Sequence, residues 1–236
     1  MQKDVHVIKP GYYKVKADAD ARRDEFDEKN TELLQNGTVV DLLLTGDSIT
    51  HFMDEQKYYG QFGTVVNRGI GGDLVEVLAW RFCADVTQLR PRLCVVLVGV
   101  NNTWLLDNNI NKTSRAYNKR EKKKVLDLFE KSYRSMLEEA RDNGYPLWVA
   151  SCLPVRDKCG NHDLRNLLIV EMNEILKRLC SEYGTKYVDY HSHIVKEDGI
   201  TMDDACSDDG VHPNPTGYTR MSEVLTPMLK EFYACK

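Results

Sequence analysis

Five short, nearly all-apolar runs, at 38–44 (TVVDLLL), 64–67, 93–98 (LCVVLV), 147–151 (LWVAS) and 186–190 (KYVDY), recur along the chain with helix-length segments between them. A strand with one wet face alternates apolar and polar residues, whereas an uninterrupted apolar run must be covered on both sides. The intervening segments, 49–59, 73–88, 121–143 and 165–183, with a last at 216–233, can supply that cover. In the third, Leu126, Phe129, Tyr133, Met136 and Leu137 recur every three or four residues, one apolar stripe. In the fourth, Leu164, Leu168, Met172, Ile175, Leu176 and Leu179 do the same, and Gly184 closes it before the next strand. Alternating strand and helix predicts a five-stranded parallel sheet in a three-layer α/β/α sandwich, with functional loops at the carboxyl ends of the strands. Ahead of it, 17–35 reads as a charged surface helix ended by Asn36-Gly37.

That edge is where chemistry is sought. The first strand runs into Gly46-Asp47-Ser48, where Ser48 is either a helix cap or a nucleophile poised at a helix start. Asp47 is read as organising the turn. Near the C-terminus, in SDDGVHPNPTGY, Asp209 precedes His212 by three residues. In a tight loop that spacing lets the carboxylate orient one imidazole nitrogen and frees the other to take a proton from Ser48. Thr216 is a candidate cap for the helix that follows. The Gly-rich NRGIGGD (67–73) offers backbone N–H groups, and VGVNN (98–102) offers the Asn101 amide, as donors to an oxyanion. Each alone is also a turn.

Together these blocks resemble the SGNH hydrolases of the GDSL esterase/lipase family, in the family's order from Gly46 to Pro213, and the preceding charged helix resembles that of single-domain acetylhydrolase-like members. The resemblance implies a flavodoxin-like α/β fold over one domain, 1–236, with 1–37 an N-terminal helical segment packed on it. It also implies Ser48 as nucleophile, His212 as base, Asp209 as its orienting carboxylate, and an oxyanion hole from Ser48, Gly69 and Asn101. Asn102 departs from the family pattern, which commonly has Asp there, and puts the support of the donor loop in question. Asp47, Asn102 and Trp104 are candidate pocket residues, with Leu105-Leu106 beside the acyl site.

Other chemistries fit less well. A net charge of -4 argues against a general nucleic-acid binder, and the basic run at 119–124 lacks interleaved aromatics, as a solvated helix face does. His191-x-His193 and the seven scattered cysteines lack the spacing of a metal site, and the glycines match neither phosphate-loop pattern. Thr50 stands where a GxSxG elbow needs its second glycine. The expectation is therefore a cofactor-independent serine esterase acting on short, acetyl esters, carbohydrate O-acetyl groups among them. A lysophospholipase, thioesterase or lipase-like enzyme is the alternative, and an inactive binding module a third reading. No h-region opens the chain and the cysteines are unpaired in pattern, which suggests a cytoplasmic protein with a small-molecule ester as partner. A homodimer is compatible with the sequence.

Overall fold

A computed structural model describes residues 5–9, 17–106 and 115–235. Helix α1 (Ala17–Asn36) is followed by β1 (Leu42–Gly46), the short helices α2 (Ser48–His51) and α3 (Glu55–Tyr59), and β2 (Val65–Gly69). Then come α4 (Val75–Asp85), β3 (Leu93–Leu97), α5 (Arg115–Asn143), β4 (Leu147–Ala150), α6 (His162–Tyr183), β5 (Tyr187–Val188), α7 (His191–Ile194) and α8 (Pro215–Ala234). The five strands form one parallel sheet in the order β2-β1-β3-β4-β5. Strands β1, β2, β3 and β4 are buried at every position, as continuous apolar runs require. The chain order reverses direction across the sheet between β1 and β3, which makes a crevice at their carboxyl ends.

Most helix stripes face inward as their spacing predicts. Phe129, Tyr133, Met136 and Leu137 of α5 and Leu168, Met172, Leu176 and Leu179 of α6 are all buried. Leu164 departs from its stripe: in the first turn of α6 it stands 49% exposed, beside an equally exposed Leu167. Several boundaries also differ from expectation, among them the helix expected at 121–143, which begins at Arg115, and the last strand, which spans only Tyr187–Val188. The first strand begins at Leu42, where paired register with both neighbours starts, and just before it the Asp41 carboxylate also accepts the Thr64 N–H at 2.8 Å. The helix expected at 49–59 is two helices. Asp54 stops it by accepting the Lys57 N–H at 3.0 Å, a cap that competes with helix continuation.

Helix α1 ends at Asn36 with Gly37 left-handed (φ 64°), and its Phe26 and Asn30 are buried against the rest of the molecule. The segment 107–114, part of the polar stretch after Trp104, lies outside the described residues.

Candidate active site

Gly46 ends β1 where a side chain would run into the Leu97 carbonyl of β3, so only glycine lets the two strand ends approach. The chain then turns straight into α2. Asp47, fully buried, caps that helix by accepting the Ile49 N–H at 3.0 Å. Ser48 is thereby the first helical residue, and its N–H has no protein partner among the described residues. The capping reading of Ser48 is thus corrected: the cap is Asp47, and the Ser48 hydroxyl takes no part in capping. Burial pushes the Asp47 carboxyl up to about 7, against the pull of nearby backbone N–H groups of Ile49 and Gly99.

Ser48 Oγ lies 2.8 Å from His212 Nε2, and His212 Nδ1 lies 2.6 Å from Asp209 Oδ2. Asp209 Oδ1 accepts the N–H groups of Val211 (2.9 Å) and His212 (2.8 Å) and the hydroxyl of Ser207 (3.2 Å). Partial burial raises the Asp209 pKa, but the His212 hydrogen bond and the two backbone donors outweigh it and hold the carboxyl well below its ordinary range. An ionised carboxylate only accepts, so Nδ1 carries the proton and Nε2 is the acceptor facing the Ser48 hydroxyl. The loop is fixed from behind. Gly210 O accepts the Arg156 N–H at 2.8 Å, Arg156 Nη1 donates to Ser207 O at 2.7 Å, and Ser207 bridges to Pro213. The Tyr218 hydroxyl of α8 donates to Ile49 O of α2 at 2.8 Å, tying the helix that follows the His212 loop to the helix that begins at Ser48.

The donor side differs from the sequence reading at one residue. Gly69 cannot serve the oxyanion: its N–H donates to Asn67 Oδ1 at 2.9 Å, and a side chain there would collide with the backbone of Thr50 and His51. Its glycine identity is a packing requirement between β2 and α2. Further along the same turn, the Gly71 N–H donates to His51 Nδ1 at 3.2 Å, an acceptor role that suits a ring whose pKa burial lowers. Gly72 is left-handed (φ 84°), and its N–H has no partner among the described residues. Gly71 lies against Ser48, within 3.8 Å of its Cβ for a methyl placed there. Gly72 is thus the free donor of the turn, a distinction invisible among three neighbouring glycines in a sequence. Asn101 spends one amide N–H on Asp73 O at 3.0 Å, which orients the group and leaves the other N–H available.

Asn102 is not a pocket residue. It is buried, its Oδ1 accepts the Val75 N–H at 3.0 Å at the start of α4, and its Nδ2 donates to Glu76 Oε2 at 2.9 Å. The acceptor that an Asp would supply is present, and Glu76 uses the extra donor. Asp47 likewise has no exposed surface with which to line a pocket. Trp104 is half-buried with the Arg165 guanidinium stacked 3.3 Å from its ring centre, which occupies one face. The side chains of Leu105 and Leu106 lie outside the described residues. The cap of α8 is Asn214, which accepts from Thr216 and Gly217, with Pro215 in the first turn; the Asn-Pro pair was the available signal. Phe52, 58% exposed where the helix breaks, packs edge-on to His212 at 5.2 Å between ring centres. Among the described residues, no three His, Cys, Asp or Glu side chains are grouped to hold a metal, the cysteines are free thiols, and no helix is long and apolar enough to cross a membrane.

A sequence profile of the GDSL-like lipase/acylhydrolase family matches residues 44–220. An acetylxylan esterase of Geobacillus stearothermophilus is 25% identical over 169 residues, 69% of this chain and 71% of that protein. A second acetylxylan esterase, from Xylanibacter ruminicola, is 22% identical over 171 residues, 71% of this chain but 34% of its own length. Among solved structures, a GDSL-like lipase of Bacteroides thetaiotaomicron superposes with a TM-score of 0.70 at 21% identity, covering 88% of this chain and 97% of that one.

Proposed function

The chain belongs to the GDSL-like lipase/acylhydrolase family and is a carboxylic ester hydrolase, and from that premise we propose that it works through an acyl-enzyme on Ser48. His212 Nε2 takes the hydroxyl proton as Oγ bonds to the ester carbon, and the carbonyl electron pair moves onto oxygen. The Ser48 and Gly72 N–H groups and the free Asn101 amide proton receive that charge. Collapse re-forms the carbonyl and expels the alcohol, which leaves with the proton from His212. Water, deprotonated at the same nitrogen, then releases the acid and restores Ser48. The unbroken hydrogen-bond chain Asp209–His212–Ser48 is the observation that carries this reading.

The substrate class follows from different support. Two acetylxylan esterases are among the relatives, and a compact chain favours short acyl groups, so the proposed substrates are acetyl esters, with O-acetylated carbohydrate first. A fluorophosphonate probe read by intact mass tests the serine: one adduct on wild type and none on Ser48→Ala is expected, and no adduct on folded wild type overturns the mechanism. A series of p-nitrophenyl esters from acetate to decanoate, run beside acetylated xylooligosaccharide, tests the substrate. A kcat/KM that climbs with chain length would replace the acetylesterase reading with the lipase-like one.

A further inference from the structure

We propose that Arg81, which lies beneath the site and does not reach its surface, is the positioning residue that holds the three oxyanion donors in register. Arg81 projects from α4 and is fully buried. Its Nη2 donates to Gly46 O at 3.1 Å, two residues before Ser48. Its Nη1 donates to Arg68 O at 3.0 Å, at the entry to the Gly-rich turn, and its Nε donates to Asp73 Oδ2 at 2.7 Å, at the exit. Asp73 in turn holds Asn101 through its backbone carbonyl. One guanidinium therefore contacts the end of β1 that leads to the Ser48 N–H, both ends of the turn that presents the Gly72 N–H, and the residue that orients the Asn101 amide. Ile70 N–H, bonded to Gly46 O at 3.0 Å, closes the link between the first two.

The charge is satisfied below. Arg81 Nη1 also meets Asp85 Oδ2 at 2.6 Å, and Asp85 is shared with Arg23 of α1, which also pairs with Asp27. Arg22 of α1 adds a hydrogen bond to Gly69 O at 3.1 Å. A helix preceding the segment matched by the family profile thus buttresses the same turn. Only a planar, multi-donor fork can serve carbonyls and carboxylates in several fixed directions at once; a lysine ammonium keeps the charge and loses the geometry. A buried ion pair is weak evidence for stability, whereas donors preset toward a developing charge are among the largest catalytic effects, and small displacements of them are costly.

The inference rests on the proposed oxyanion chemistry, so its test begins by separating the two. Wild type must hydrolyse p-nitrophenyl acetate and Ser48→Ala must not; if both are inert, the catalytic reading falls and takes this role with it. With wild type active, Arg81→Lys is assayed well below its melting temperature. The expected result is a kcat about 10- to 100-fold lower with KM within about twofold. In an Asn101→Ala background the same substitution should cost much less, because the hole it aligns is already broken. A folded Arg81→Lys enzyme with wild-type kcat, or losses that simply multiply with Asn101→Ala, assigns Arg81 to folding alone and overturns the proposal. Should Arg81→Lys fail to fold, Asp73→Asn, which loosens the guanidinium's hold on the turn, takes its place in the double-mutant cycle: a kcat loss that shrinks in the Asn101→Ala background supports the role, and an unchanged kcat or multiplying losses overturn it.

Discussion

The two halves of the site are built in opposite ways. On the donor side, Ser48, the Gly-rich turn and Asn101 leave adjacent strand ends over a buried network in which the Arg81 and Asp73 side chains are 1% and 3% exposed. On the proton side, Asp209 and His212 share one surface loop with side chains 57% and 32% exposed, held by hydrogen bonds within the loop and to Arg156. The difference suits the proposed chemistry. A developing oxyanion is best met by fixed dipoles away from water, which would otherwise screen them. A base that must exchange protons with a leaving alcohol and then with water is better placed at the solvent edge.

Substitutions can break this contrast in graded order. Ser48→Ala removes the atom that joins the halves, and ester hydrolysis should fall about 10⁴-fold or more, measured as kcat/KM in protein freed of contaminating esterase. Asp209→Asn should lower kcat by about 10³-fold, because an amide no longer fixes the His212 tautomer; solvent at the loop makes the loss smaller than for a buried carboxylate. Asn101→Ala should cost about 10²- to 10³-fold in kcat with KM little changed. If the loss appears in KM alone, the amide is a ground-state contact and the donor side has been misread.

The two acids of the site should also differ in the pH dependence of stability. Asp209, held below its ordinary value of 3.8, supports the fold above about pH 4 and loses that support as pH falls toward its folded pKa. Asp47, raised to about 7, does the reverse: its contribution is full below about pH 4 and is lost as pH rises from there through 7. Wild type should therefore lose stability relative to Asp47→Asn between pH 4 and 7, read from urea midpoints across that window. A constant difference would mean that Asp47 titrates normally despite its burial. The smallest effect concerns Asn102→Asp. A carboxylate there faces Glu76 in place of an amide that donates to it, so a modest drop in melting temperature without a gain in kcat is expected.

The apolar runs and helix stripes dictated the layered sheet, because burial on both faces leaves a parallel strand few alternatives. That Ser48, Asp209 and His212 would meet, and that Asn101 would lie at the same sheet edge, was also readable from their places at strand ends and in turns. Tertiary structure decided the rest. Which of three neighbouring glycines keeps a free N–H depended on Asn67 and His51 claiming the others, contacts between chain segments that no local pattern encodes. Asn102 departed from the family pattern in sequence, but the fold gives its amide partners in Val75 and Glu76, and Arg81, which no sequence pattern singles out, joins Gly46 O, Arg68 O and the Asp73 carboxylate. Sequence specifies which groups a chain carries and with what period. Their hydrogen-bond partners are settled only when the fold brings distant backbone within about 3 Å.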